Sequence, residues 1–257
     1  WIVWRLSMTD LVLHEKEMVR GILSDCSKKA CTHKAVFEVV KYYLSEGYDR
    51  AGVEEKTKEF ICKCDSYANM SAWSNFIDDA VKLAKNSRMV DLDGIDITAG
   101  EFNAIMSLEG DMRRKLMFTI LCIAKYFNAI NEGNNNWVNQ KQKDIFTMAN
   151  IKVTSKRQSL LINDLWRAGL IGYSRVVDNI NINVKIVNND SEVRLTVTDF
   201  RNLGNQYQMF CGGRFMICQE CGAVIRRESN AQKCCKECSS ALRAKRYISD
   251  YKSRAAS

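Results

Sequence analysis

Apolar residues recur every three or four positions through most of the first 90 residues, the spacing that places them on one face of an α-helix. The clearest stretch covers residues 35–44, in which the recurring apolar residues include Val36, Val39, Val40, Tyr43 and Leu44. Similar spacing predicts helices over residues 9–23, 54–64 and 71–85, with Thr9 and Asp10 as caps of the first. The short connections between these helices predict a helical bundle over residues 8–90.

The pattern then changes to alternation of apolar and acidic residues. Over residues 89–98, apolar side chains alternate with Asp91, Asp93 and Asp96, which predicts a short strand or an extended linker. Three neighbouring aspartates are also compatible with a metal cluster, but such alternation is more typical of a solvated strand face. We therefore assign residues 91–106 as a linker that contains a short strand.

Helical periodicity returns over residues 107–131, where a long apolar stripe predicts a single helix. A short strand at residues 137–138 follows, and then two helices over residues 140–149 and 155–168. Asn139 and Thr154 are the predicted N-caps of these two helices.

Alternating segments follow the last of these helices. Residues 170–176 and 180–187 predict a hairpin, residues 191–198 a further strand, and residues 199–210 a polar and aromatic connector. The order of helix, short strand, helix, turn, helix and hairpin is that of a winged helix-turn-helix, which we assign to residues 107–200. The expected fold class is mainly α with small β: an N-terminal helical bundle, a central winged helix-turn-helix and a C-terminal zinc ribbon.

Charge is distributed unevenly along the 257-residue chain, which carries a net charge of +8. Residues 137–187 contain eight basic and three acidic residues, and residues 211–257 contain ten basic and four acidic residues. These two segments therefore carry net charges of +5 and +6, and the remainder of the chain is net negative. Basic charge gathered in two compact segments favours a polyanionic partner such as nucleic acid.

The helix over residues 155–168 is the predicted recognition helix, because the N-terminal residues of such a helix lie nearest the bases in the major groove. Its candidate nucleic-acid contacts are Lys152, Thr154, Ser155, Lys156, Arg157, Gln158, Asn163 and Arg167. The wing adds Arg175 and Lys185. Winged helices also dock on proteins through the same helix, so a protein partner remains the alternative.

Two C-x-x-C pairs stand near the C-terminus, Cys218 with Cys221 and Cys235 with Cys238. Each pair can place two thiolates on one turn, and four thiolates complete the closed tetrahedron of a structural Zn²⁺ site. Cys234 can replace Cys235 in a shifted register, but only Cys235 preserves the C-x-x-C spacing. The alternative is that these four cysteines lie in the core or form disulfides. The chain has eleven cysteines, and this odd number, together with the predicted zinc thiolates, favours a reducing, cytoplasmic compartment.

A basic helix is predicted over residues 241–253, after the last cysteine. Basic side chains there stand beside Tyr247 and Tyr251, a combination that suits phosphate contacts and stacking on duplex or single strands. The candidate contacts in this tail and in the ribbon, residues 211–257, are Arg226, Arg227, Arg243, Lys245 and Arg246. A solvated terminal helix is the alternative.

Three segments of the chain resemble an uncharacterised group of phage and mobile-element proteins: IFTMANIKVTSKRQSLLINDLWRAGLI, TDFRNLGNQY and CQECGAVIRR with KCCKEC. The resemblance covers roughly residues 90–245. It implies a DNA-associated role in a phage or integrated element in a bacterial host cell, and it transfers no catalytic residues.

The sequence thus predicts a binding protein that acts in transcription control or replication. An adaptor or inhibitor that docks on host machinery is the alternative, and a homodimer is a further option because winged helices often pair. We predict no enzymatic activity, since no P-loop or nucleophile elbow is present. No apolar run approaches the roughly 18 residues of a membrane span, and residues 1–7 lack the cleavage site of a signal peptide.

Overall fold

A computed structural model of the chain describes residues 11–25, 27, 31–174 and 181–255. It is mainly helical, with short strands in small sheets, as the sequence predicts. The chain divides into two compact units, Trp1–Asp93 and Gly94–Ser257. The predicted helical bundle therefore falls within the first unit, and both predicted basic segments fall within the second.

The first unit contains the four predicted helices: α1 (Glu15–Ser24), α2 (His33–Ser45), α3 (Arg50–Cys64) and α4 (Met70–Ala84). Side chains of Thr32, Asp49 and Asn69 accept backbone N–H bonds at the starts of α2, α3 and α4. The apolar faces enclose a core whose fully buried members include Val19, Val36, Val39, Ile61 and Ile77. The predicted cap at Thr9 and Asp10 lies outside the described residues.

The carboxylate of Glu15 on α1 binds both a lysine of α2 and the backbone near the end of the first unit. The Nζ of Lys41 lies 2.5 Å from Oε2 of Glu15, and the same oxygen accepts the backbone N–H of Val90 at 2.7 Å. His14 and Asp91 form an isolated antiparallel bridge, and their side chains are 2.8 Å apart. The segment around residue 90 therefore lies against the start of α1.

The second unit contains both helices and short strands. Its helices are α5 (Ala99–Met106), α6 (Asp111–Ile130), α7 (Gln142–Met148), α8 (Ser155–Arg167), α9 (Leu203–Phe210) and α10 (Lys236–Ala255). Its strands are β1 (Ile95–Thr98), β2 (Trp137–Val138), β3 (Ile171–Tyr173), β4 (Ile182–Val184), β5 (Val193–Val197), β6 (Phe215–Ile217) and β7 (Val224–Arg226). Helix α6 forms the centre of the core, with Leu116 to Ala124 entirely buried.

Among the described residues of the second unit, the strands form three antiparallel sheets. Strands β2, β4 and β3 form a sheet in that order, with Asn183 of β4 opposite both Trp137 and Gly172. Strand β1 pairs with β5, and β6 pairs with β7. The strands β3 and β4 are shorter than the predicted hairpin strands, and residues 175–180 between them lie outside the described residues.

The segment predicted as a linker is mostly structured. The strand alternative is confirmed for Ile95–Thr98, but residues 99–106 form helix α5, which the sequence analysis missed. A capping box starts this helix: the backbone N–H of Glu101 donates to the Thr98 side chain, and the Glu101 carboxylate accepts the Thr98 N–H. The helix predicted from residue 107 begins instead at Asp111, because residues 107–110 form a turn that ends on Gly110 with φ +86°.

The connector predicted over residues 199–210 is also wrong, because Leu203–Phe210 form helix α9. Leu203 and Tyr207 are buried, and α9 packs so closely that a Cβ on Gly204 would lie 1.8 Å from the carbonyl oxygen of Ala149. Only glycine permits this approach. Asn139 is not the cap of α7 either: the helix begins at Gln142, and its N-cap residue, Lys141, makes no side-chain capping bond.

Candidate metal centre and basic surface

The four predicted ligands come together at one end of the β6–β7 hairpin. Cys218 and Cys221 lie on the turn between the two strands, and Cys235 and Cys238 lie at the start of α10. Their sulfur atoms all lie within 4.8 Å of one another, and those of Cys221 and Cys235 are 4.0 Å apart. A tetrahedral zinc–thiolate site has Zn–S bonds of about 2.3 Å and therefore sulfurs about 3.8 Å apart. The cluster can hold a metal ion after small movements of the thiols.

Backbone geometry explains why these residues form such a site. Gly222 follows the first pair with φ +71°, and its N–H donates to the carbonyl oxygen of Cys218 at 2.9 Å, which closes the turn. Two further N–H groups point at sulfur: that of Cys235 lies 3.2 Å from Sγ of Cys218, and that of Cys238 lies 3.3 Å from Sγ of Cys235. Such donors stabilise thiolates, the form in which cysteine binds metal.

The thiols differ in how readily they ionise. Burial disfavours the Cys218 thiolate, but N–H groups of Cys235, Cys221 and Glu220 outweigh burial and lower the pKa of Cys218 to about 6. Burial raises the pKa of Cys221, and burial together with the neighbouring thiols raises the pKa of Cys238. Since four thiolates without a cation would repel one another, metal binding has to displace protons from part of this cluster.

Cys234 is not one of the four clustered thiols, among the residues that the structure describes. The register with Cys235 as the ligand, which the C-x-x-C spacing favoured, therefore agrees with the geometry. Cys234 is half-buried beside the site, and burial raises the pKa of its thiol.

The sequence analysis missed two residues that hold the metal centre in place. Arg201, just before α9, donates from Nη2 to the carbonyl oxygen of Cys221 at 2.7 Å and pairs with Asp199 at 2.8 Å. Asn205 on α9 donates to the carbonyl oxygen of Val224 on β7 at 3.1 Å. Both lie in the segment TDFRNLGNQY, whose sequence signalled only a resemblance. Their contacts are with residues far away along the chain, so no spacing rule reveals them.

The same asparagine also reaches the turn between α7 and α8. Its Oδ1 accepts from Nδ2 of Asn150 at 2.9 Å, and the carbonyl oxygen of Asn150 accepts from Nζ of Lys115 at 3.1 Å. Lys115 is buried on α6, and burial lowers the pKa of its ammonium group. A continuous polar chain thus runs from the hairpin of the metal centre, through α9, to the residues that precede α8.

The predicted contacts at the start of α8 form an exposed surface. Thr154 uses its hydroxyl to cap α8 by accepting the N–H of Arg157 at 3.4 Å, as predicted. Around it, the side chains of Lys152, Ser155, Lys156 and Arg157 are exposed. Asn163 is half-exposed further along the helix, and Arg167 is exposed at its C-terminal end.

Two of the predicted contacts differ from the others. The Gln158 amide is engaged within the protein, since Oε1 accepts from Gln142 at 3.2 Å and Nε2 donates to the carbonyl oxygen of Val153 at 3.4 Å. Gln158 therefore supports the turn before α8 and is not free for a ligand. Arg175 lies outside the described residues, whereas Lys185 is exposed directly after β4.

The basic residues of the C-terminal region fall into two groups. Arg227 donates to the carbonyl oxygens of Ser229 and Asn230, at 3.2 and 2.7 Å, so its guanidinium holds the loop that follows β7. Arg226 on β7 and the three predicted residues of α10 are exposed, namely Arg243, Lys245 and Arg246. Helix α10 is longer than predicted, because it begins at Lys236 and includes Cys238 in its first turn.

Among the described residues, no helix combines the length and the apolar character needed to cross a membrane. Comparison with protein-family models finds no match for this chain, and comparisons with the curated proteins and with the solved structures find none either. The resemblance to phage and mobile-element proteins therefore stays a prediction.

Proposed function

We propose that this chain is a nucleic-acid-binding protein of a phage or mobile element, with duplex DNA as its ligand, acting in transcription control or replication. The observation that supports the proposal is that several exposed basic side chains have no acidic partner. Within the described part of the chain, Lys152, Lys156, Arg157, Arg167 and Lys185 form no ion pair. Exposed cations without acidic partners are what a phosphate backbone requires.

The first unit provides an internal comparison. There the basic residues that pair with carboxylates include Lys16, Lys41, Arg50, Lys56 and Lys82. Their charge is largely neutralised locally, which is typical of a solvated protein surface. In the described part of the second unit, exposed cations without ion pairs lie around α8 and on α10, and this unit also contains the four-cysteine cluster. The first unit has unpaired cations as well, among them Lys63 and Lys85, but there they stand beside many paired ones.

Helix α8 is the proposed recognition helix of a winged helix-turn-helix. The order α6, β2, α7, α8, β3, β4 and the small β2–β4–β3 sheet support this assignment. Lys156, Leu160, Asn163 and Arg167 fall at intervals of three or four residues and so share one face of α8. Arginine and lysine on that face suit phosphates, asparagine suits adenine, and leucine suits the methyl group of thymine.

The metal in this proposal is Zn²⁺ in a structural role. Four sulfur donors and no other ligand type in the cluster favour Zn²⁺ over Mg²⁺ or Ca²⁺, which prefer oxygen. A closed set of four ligands leaves no position for a reacting water, so the ion would hold β6, β7 and the start of α10 together.

The test is a salt titration of duplex binding. Replacing Lys156 and Arg157 together by alanine removes two phosphate contacts, so the slope of log affinity against log salt is expected to fall by about two. Affinity near physiological salt is expected to fall about tenfold or more. Lys63→Ala with Lys85→Ala is the matched control, since both lysines are exposed in the first unit. Unchanged affinity and slope in the α8 variant would contradict the proposal.

A second candidate function is docking on a protein through the same helix. It is favoured by exposed apolar side chains on α8, Leu160 and Trp166, and by Tyr173, whose ring centroid lies 6.1 Å from that of Trp166. Aromatic residues are enriched where proteins bind each other. Replacing Trp166 and Tyr173 by alanine distinguishes the two functions, because neither residue belongs to the proposed DNA-contacting face of α8. Protein docking would be lost, while salt-dependent DNA binding would retain most of its strength.

A further inference from the structure

Helix α10 extends from the four-cysteine cluster, and most of its described side chains are exposed. Cys238 joins its first turn to the four-cysteine cluster, but every side chain from residue 243 to residue 248 is exposed. Tyr247 is 74% exposed and Tyr251 is 68% exposed, and neither phenol has a hydrogen-bond or ring partner among the described residues. Two bare tyrosines on one basic helix need a physical explanation, because each exposes a large apolar ring to water.

The position of these rings along the helix is regular. Arg243, Tyr247 and Tyr251 follow each other at intervals of four residues, so they lie along one face of α10. No acidic residue stands three or four positions from Arg243 on either side. Helix α10, Lys236–Ala255, carries six basic and two acidic residues, a net charge of +4. The tyrosine face is therefore embedded in positive charge.

The spacing of the two tyrosines identifies the ligand more closely. Four residues along an α-helix correspond to a rise of about 6 Å. Neighbouring bases in a DNA duplex are about 3.4 Å apart and have both faces covered by stacking. Consecutive bases can reach rings about 6 Å apart only when they are unstacked from each other and unpaired. Aromatic rings beside basic side chains are the usual means of holding such bases.

We infer that the face of α10 formed by Arg243, Tyr247 and Tyr251 binds an unpaired strand of nucleic acid, stacking one base on each ring while the basic side chains contact phosphates. This inference deepens the proposed function and rests on it for the duplex held by α8. A protein with both sites would bind where a duplex opens into a single strand.

Charge and ring stacking argue against two other partners for this exposed face of α10, namely a second copy of the helix and an acidic protein. A second copy of α10 would bring two helices of net charge +4 together, and like charges repel at such distances. An acidic protein surface would neutralise the charge, but its carboxylates do not stack on tyrosine rings. Single-stranded nucleic acid supplies both the phosphates and the rings.

The experiment measures affinity of the metal-loaded full chain for a fluorescent oligothymidylate and for a duplex of random sequence. The double variant Tyr247→Ala/Tyr251→Ala is expected to bind the oligothymidylate at least about tenfold more weakly than wild type while its duplex affinity stays within about twofold. Tyr247→Phe/Tyr251→Phe keeps both rings and is expected to retain wild-type affinity. Tyr67→Ala removes an exposed tyrosine of the first unit and serves as the control.

Each outcome decides between the two proposals. Equal loss on both nucleic acids, no loss on either, or loss in the phenylalanine variant would overturn stacking by α10. If wild type binds the duplex and ignores the oligothymidylate, the inference fails and the proposed function stands. If wild type binds only the oligothymidylate, the single-strand site stands and the duplex proposal fails. Equal metal content and circular dichroism of the variants exclude unfolding as the cause.

Discussion

Glu101 is a buried carboxylate on which four backbone segments of the second unit depend. Its side chain is fully buried, and it accepts hydrogen bonds from the N–H of Thr98 at 2.8 Å and from the N–H of Asn188 at 3.0 Å. Both of its oxygens also lie 2.9 Å from Nζ of Lys125, which is itself nearly buried. One side chain thus ties β1, α5, α6 and the segment before β5 together.

Glu101→Ala is expected to destabilise the second unit by about 3–5 kcal/mol, because it leaves the buried ammonium of Lys125 without a counter-charge. The two N–H donors lose their acceptor as well, so the value is expected at the upper end of this range. For a unit of this size, the change corresponds to a fall in melting temperature of roughly 6–20 °C.

The assay is thermal and urea denaturation, together with hydrogen exchange at the amides of Thr98 and Asn188. Lys125→Met separates the ion pair from the hydrogen bonds, since it removes the cation and leaves both N–H bonds of Glu101 in place. The double variant Glu101→Gln/Lys125→Met is expected to be more stable than Glu101→Ala, because no uncompensated charge remains buried. A loss below about 1 kcal/mol for Glu101→Ala would refute this account of the site.

Three further predictions concern the metal centre, its link to α8 and the first unit. Cys235→Ser is expected to lose most bound zinc in a dye-release assay, whereas Cys234→Ser keeps about one ion per chain. Asn205→Leu is expected to cost about 2–4 kcal/mol of stability, because it leaves the carbonyl of Val224 and the amide of Asn150 unpaired, as denaturant titration can show. Burial and then the charge of Glu15 raise the pKa of Glu38, and its Oε2 has no hydrogen-bond partner among the described residues. Stability is therefore expected to fall as pH rises through that pKa, and Glu38→Gln is expected to flatten this dependence in melting curves recorded at several pH values.

The sequence predicted those features that depend on local spacing. The four helices of the first unit follow from periodicity, the start of α8 from Thr154, and the four-cysteine cluster from two C-x-x-C pairs. Each of these rests on residues within one or two turns of each other, which a linear pattern records. The preference for Cys235 over Cys234 was of the same kind.

Short helices that depend on distant contacts could not be predicted in this way. Helix α5 has eight residues, too few for a clear period, and only the Thr98–Glu101 capping box marks its start. Helix α9 contains Gly204, which lowers helix propensity, and its polar residues Asn205 and Gln206 are buried against other segments. Tertiary packing, not propensity, makes these residues helical.

Helix α9 connects the four-cysteine cluster with the start of α8, so a structural change at one can affect the other. Its Asn205 contacts β7 on one side and Asn150 on the other, and Gly204 lies against Ala149 at the end of α7. Residues 149–154 connect α7 to α8, so α9 contacts both the segment that leads into the proposed recognition helix and the β6–β7 hairpin of the four-cysteine cluster. Loss of metal would loosen β6 and β7, and the same chain of contacts would transmit that change to the start of α8. If the proposed function holds, zinc would affect duplex binding by positioning α8, without any of its ligands contacting a phosphate.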